Sequence, residues 1–181
     1  NGTLLDDVDY VVSVINPMLQ NHGLQLQTQE SYKKIFGFPV KDYYIKMGFD
    51  LDKNCFTKMS DDFHDSYYSN FFSCDLYETS KKALSEFKKL QKSQSILSAS
   101  EQQALHHVVD HYQIRNYFEH VFGIENKLAA SKYQRGIELM NHSGYLAKDT
   151  LLIGDTDHDL EVGHKMGIDV VLFSHGHQSK E

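Results

Sequence analysis

Tryptophan is absent from this chain, and cysteine and proline appear only twice each. Two cysteines, Cys55 and Cys74, are too few for a disulfide framework, which points to a reducing, cytoplasmic setting. Positive charge is also in short supply. Eighteen Lys and Arg stand against 25 Asp and Glu, a formal net charge of −7. That balance argues against nucleic acid or an anionic membrane as a partner. A small anionic substrate stays open, because a metal ion or one placed Lys inverts the field inside a pocket. No apolar run nears the roughly 18 residues of a membrane span, and no signal-peptide pattern is visible. No Gly-rich phosphate loop of the P-loop or dinucleotide kind occurs. The histidines lack cysteine company at zinc-ligand spacing and read as solvated, His158 and His177 among them.

What the chain does have is apolar volume. It is 181 residues long and 40% hydrophobic, with eleven Tyr and eleven Phe. That suits one globular domain, or a core domain carrying a smaller insert. Residues 8–22 read as an amphipathic helix, kinked near Pro17 and closed by Gly23. Two short helices are expected over 28–36 and 39–47, then an aromatic-rich helix over 54–72 and a surface helix over 76–92. From residue 94 the texture changes. Strands at 94–98, 119–123, 149–153 and 168–173 alternate with helices at 100–111, 131–142 and 157–166. Strands alternating with ten-residue helices imply βαβ units and a parallel sheet. The expectation is an α/β core formed by residues 1–9 and 77–181, with a helical cap inserted at 10–76. One more core strand is expected to end just before Asn1.

In open parallel sheets, ligands sit at the carboxyl ends of the strands. The strand at 149–153 runs into "GDTDHD", which places Asp155 at the strand end and Asp159 four residues on. On one helical turn these carboxylates share a face and suit a hard cation such as Mg²⁺. The purely structural reading is a helix cap and a favourable dipole partner. Ser98 closes the strand at 94–98, where its hydroxyl reaches a bound phosphate or, equally, serves a capping box with Glu101. Lys132 opens the helix at 131–142, where it opposes the helix dipole. That local penalty hints at a role in neutralising phosphate; Lys127 is a rival for it. Asp50, Asp52, Asn54 and Asp61 echo a calcium loop, but Cys55 stands where the loop needs Gly.

Taken in order, "NGTLLDD", Ser98, Lys132 and "IGDTDHDLEVGHKMG" resemble the haloacid dehalogenase-like hydrolase superfamily. The likeness is greatest to the phosphoglycolate-phosphatase-like members with a helical cap. The resemblance implies a Rossmann-like parallel core and a Mg²⁺-dependent phosphatase acting through an aspartyl-phosphate. The nucleophilic Asp is expected two residues before Asn1. Mg²⁺ is expected on the Asn1 backbone carbonyl and on Asp155 and Asp159. Gly2, Thr3, Ser98 and Lys132 are expected to hold the phosphoryl group. Asn1, Lys132 and Asp155 form the expected catalytic set. Asn1 stands where the family carries a second Asp, its general acid and base, a role an amide cannot take.

The cap is expected to select the substrate through the loop "IFGFPVKDYY", by Phe36, Phe38 and Tyr43; the structural alternative makes these rings cap core. The expected partner is a small phosphorylated metabolite, with no nucleic acid or membrane, and the chain a monomer or homodimer. Two other functions remain open: a metal-independent haloacid dehalogenase or a phosphosugar mutase of the same fold, and a phosphate- or metal-binding protein that has lost turnover.

Overall fold

The computed structural model of the chain describes residues 1–125 and 132–180. A two-residue strand, β1 (Leu5–Asp6), leads into four helices: α1 (Val8–Asn21), α2 (Gln29–Ile35), α3 (Val40–Lys46) and α4 (Phe56–Ser69). Val8, Val11, Ile15 and Leu19 recur at helical spacing along α1 and are all buried, while Pro17 lies on the exposed side. Gly23 and Gly48 follow α1 and α3 with positive φ, the conformation that closes a helix at least cost for glycine. Thr28 and Ser31 form a reciprocal capping box at the start of α2. Thr28→Ala should lower stability by about 1 kcal/mol, the usual cost of losing such a cap, read from the urea midpoint.

The chain returns from α4 through β2 (Asp75–Leu76), which pairs antiparallel with β1. Leu5 faces Leu76 and Asp6 faces Asp75. The Tyr77 N–H and the Ser80 hydroxyl both donate to the Leu4 carbonyl, at 3.0 and 2.9 Å. The entry and exit of the helical segment are therefore tied to one another. Two-residue strands carry no readable alternation, so the sequence pattern placed residue 76 in a helix; α5 begins only at Ser80 (Ser80–Lys89).

The remaining elements alternate: β3 (Ser95–Glu101), α6 (Gln102–His111), β4 (His120–Ile124), α7 (Tyr133–Ser143), β5 (Leu151–Gly154), α8 (Asp157–Met166) and β6 (Asp169–Leu172). β3 pairs parallel with β4, and β5 parallel with β6. The two pairs are not hydrogen-bonded to one another among the described residues. Instead α7 packs on β3, β4 and α8 and so spans them. A methyl group on Gly136 of α7 would press on Met166 and Leu97, so its lack of a side chain lets α7 sit close to α8 and β3. One contiguous buried cluster runs from Leu5 through Val8, Leu19 and Tyr32 to Val109 and Val121, joining the helical segment to the α/β part. Among the described residues no helix is long and apolar enough to cross a membrane.

Candidate active site

The carboxyl end of β5 meets the N-terminal turn. Gly2 adopts φ +72°, and its N–H donates to the Leu5 carbonyl at 3.1 Å. This turn brings Thr3 to Asp155, where the Thr3 hydroxyl donates to Oδ1 at 2.9 Å. The other oxygen, Oδ2, accepts the His177 main-chain N–H at 2.9 Å. A Cβ on either Gly2 or Gly176 would run into the Asp155 carboxylate. Two glycines and two donors thus clasp one largely buried acid.

Behind it lies a buried ion pair. Thr156 caps α8, and Asp159 returns the bond in a capping box. Asp159 Oδ2 accepts from the Asp155 N–H (3.0 Å), the Thr156 N–H (2.9 Å) and the Thr156 hydroxyl (2.7 Å). Its Oδ1 accepts from the Lys132 ammonium. Burial alone would push the Asp159 carboxyl up. The Lys132 charge, with hydrogen bonds from Lys132 and Thr156, outweighs it and brings the pKa down to about 2. Lys132 Nζ also lies 3.4 Å from the Leu97 carbonyl of β3. An ammonium has three N–H donors, and among the described residues these contacts use two of them. Ser98 follows Leu97, where the β3–β4 register breaks between Leu97 and Glu101. Its Oγ accepts from the Ser100 N–H at 3.1 Å, leaving its O–H to donate elsewhere.

Above the clasp stands a roof of rings. Phe36 packs on Tyr32, Tyr43 and His177, with centroids 5.1, 5.3 and 5.3 Å away. Phe38 stacks on His158 at 4.7 Å. Burial first, and the nearby Lys132 second, hold the His158 imidazole below its ordinary value against the pull of Glu161 and Asp159. The C-terminal segment threads beneath this roof: Gln178 Nε2 donates to the Phe36 carbonyl at 2.9 Å, and the Ser179 N–H to the Lys33 carbonyl at 3.2 Å.

A family model described as haloacid dehalogenase-like hydrolase matches residues 1–173. The chain belongs to the haloacid dehalogenase-like hydrolases. The fold agrees with solved members. A predicted phosphatase from Clostridium acetobutylicum superposes with a TM-score of 0.85 at 19% identity, over 99% of this chain and 84% of that one. A haloacid dehalogenase-like hydrolase from Streptococcus pneumoniae gives 0.86 at 14% identity, over 99% and 84%. A predicted phosphoglycolate phosphatase from Haemophilus somnus gives 0.77 at 18% identity, over 100% and 85%. No curated protein matches the chain in sequence.

In this haloacid dehalogenase-like frame the expected residues fall into three groups. Asn1, Gly2, Thr3 and Asp155 meet at the clasp, while Lys132 at the start of α7 reaches the Leu97 carbonyl of β3, next to Ser98. Asp159 departs from expectation. Four donors fill its carboxylate, so it buttresses the Asp155 loop rather than facing a cation beside Asp155. The hydroxyl of Thr3 is taken by Asp155, and its N–H donates to the Asn1 carbonyl at 2.8 Å, so neither donor faces outward here. Phe36 and Phe38 reach His177 and His158, whereas Tyr43 is buried among the rings of Tyr32, Phe36 and Tyr44. Lys127 lies outside the described residues. His158 and His177 are buried, not solvated. Asp7, wholly buried, escaped the sequence reading altogether; its one signal was a second acid directly after Asp6, ahead of an apolar helix.

Among the described residues no three His, Cys, Asp or Glu side chains gather as a metal cage. Mg²⁺ needs less: one or two carboxylates, with water and substrate oxygens completing its shell. Among the described residues each Asp155 oxygen accepts one hydrogen bond, which leaves lone pairs on a hard, anionic donor, and Thr3 joins this carboxylate to the Asn1 carbonyl. The residues therefore fit a sparse Mg²⁺ site of one carboxylate and one carbonyl.

Proposed function

We propose that this chain is a Mg²⁺-dependent phosphatase of small phosphomonoesters. The observation that carries the reading is the clasped Asp155 carboxylate with a buried Lys132 whose contacts among the described residues use two of its three N–H donors. Asp155 and the Asn1 carbonyl would hold Mg²⁺, which when bound supplies charge to the phosphoryl oxygens. Lys132 and Ser98 would hold those oxygens from the side of β3. The nucleophile would be an Asp two residues ahead of Asn1, in the family's first motif, giving an aspartyl-phosphate that water then hydrolyses. Residues 10–76 would act as the cap, with 1–9 and 77–181 as the core, and the β1–β2 ladder as its hinge. Phe36 and Phe38 would press on the leaving group. The net charge of −7 supports a small metabolite rather than nucleic acid or a membrane as partner, and Cys55 and Cys74 as free thiols support a cytoplasmic setting. A monomer or homodimer accords with this reading.

The test is phosphate release from an activated aryl phosphate by the full-length protein, with Mg²⁺ and with EDTA. Release with Mg²⁺ and none with EDTA supports the reading; release that EDTA leaves unchanged, or no release at all from folded protein, overturns it. Asn1 gives the same assay a second use. An amide neither protonates a leaving group nor activates water, and general acid–base catalysis contributes roughly 10²–10⁴-fold. Asn1→Asp should raise kcat at least tenfold; unchanged turnover would show that residue 1 has no acid–base part.

A further inference from the structure

Asp7 occupies the N-cap position of α1, yet its side chain makes no capping bond. An Asp there ordinarily satisfies a helix N–H. Here the carboxylate turns away from its helix and is wholly buried, where an unpaired charge would be costly. It is far from unpaired. Oδ2 accepts the Tyr67 hydroxyl at 2.6 Å. Oδ1 lies 3.1 Å from His177 Nε2 and 3.3 Å from the Gly2 N–H. Burial by itself would raise this carboxyl; the facing His177 and the hydrogen bonds from His177 and Tyr67 hold it below the usual carboxylate value. An ionised carboxylate only accepts, so Nε2 donates, and Nδ1 lies 2.8 Å from the Tyr32 hydroxyl.

Each partner leads to the site. Tyr67, on α4, accepts the Asn1 side-chain amide at 2.8 Å. The main-chain N–H of His177 holds Asp155. Gly2 opens the turn that delivers Thr3 to the same acid. Tyr32 and Tyr67 come from the cap helices; Gly2 and His177 come from the core.

We infer that Asp7 is a positioning residue, whose carboxylate sets the Tyr67 hydroxyl against Asn1 and the His177 segment against Asp155 as the cap meets the core. The inference rests on the phosphatase reading for its consequence in turnover, but its geometry stands without it. Removing the negative charge by Asp7→Asn keeps the shape and places an N–H₂ against donors on one side. The backbone of 175–178 then loses its anchor to the ring of His177, and Asp155 loses a fixed donor.

The experiment compares the full-length protein with Asp7→Asn, and with the gentler Tyr67→Phe and His177→Gln should Asp7→Asn not fold. Amide hydrogen exchange, Mg²⁺ affinity by calorimetry without substrate, and kcat and KM on the aryl phosphate are measured. The expected result for Asp7→Asn is exchange at the His177 amide at least tenfold faster, with the Val11 amide of α1 unchanged. Mg²⁺ should bind about tenfold more weakly, and kcat should fall at least tenfold with KM within threefold. His177→Gln should reproduce the exchange effect and the weaker Mg²⁺ binding, while Tyr67→Phe, which reaches the site only through the Asn1 amide, should leave both unchanged. A variant that only melts earlier, with His177 exchange, Mg²⁺ affinity and kcat unchanged, overturns the inference and leaves Asp7 a purely structural acid. If the unsubstituted protein releases no phosphate, the function above fails, while faster exchange at His177 in Asp7→Asn still upholds the positioning role.

Discussion

Asp155→Asn should abolish Mg²⁺-dependent phosphate release, with a fall of at least 10³-fold in kcat/KM. The reason lies in how the two oxygens are used. One accepts a hydroxyl from Thr3, the other a main-chain N–H from His177. An amide has one accepting oxygen and one donating nitrogen, so whichever way it sits, its N–H₂ meets one of those donors. Gly2 and Gly176 leave no room to move aside, since even a Cβ on either would collide with this side chain. The substitution therefore removes the charge a cation needs and also forces the clasp apart. A buried donor left unsatisfied costs about 1–3 kcal/mol, so a lower urea midpoint should accompany the loss of turnover. Calorimetry with Mg²⁺ separates the effects: binding should disappear even at temperatures where the variant is fully folded. Retained Mg²⁺ binding would place the cation elsewhere.

The position of Asp155 was legible in the sequence, for a definite reason. Asp155 follows a strand whose apolar run is visible, and a residue at the carboxyl end of a parallel strand is placed by the topology itself. Gly23 takes positive φ at the end of α1, where the sequence already placed the stop of that helix. Other parts were hidden because they depend on contacts distant in sequence. His177 meets Asp7 across 170 positions, and nothing local distinguishes it from the exposed His175 two residues earlier. Asp159 was read as a partner of Asp155 from their spacing of four. The spacing was correct, but the capping box with Thr156 turned its carboxylate towards Lys132. Ser98 was read as the last residue of its strand. The strand continues to Glu101 across a break in register, and Glu101 then caps α6 by accepting from the Gln103 and Ala104 N–H groups. Side-chain caps decide such endings, and several residues here could have supplied one.

Lys132→Met should be the most destabilising single change near the site, and its cost should depend on pH in a way that identifies the cause. The Lys132 and Asp159 side chains are 11% and 5% exposed, so removing the ammonium strands a buried carboxylate. Breaking a buried pair from one side typically costs about 3–5 kcal/mol. In the intact protein the Asp159 carboxyl sits near 2, below its ordinary 3.8. A depressed acid contributes stability that is full above the unfolded value and is lost as pH falls through the folded one. Without Lys132, burial is opposed only by the hydrogen bonds from Thr156, and the carboxyl rises from about 2. The gap in unfolding free energy between the two proteins should therefore be widest at pH 7 and narrow as pH falls from about 4 towards 2. Urea titrations at pH 7 and pH 3 check this. Adding Asp159→Asn to Lys132→Met should recover part of the loss at pH 7, because the stranded charge is gone, while phosphate release stays low because the donor for the phosphoryl group is gone as well. Recovery of turnover in that double variant would show that Lys132 serves only Asp159 and never touches substrate.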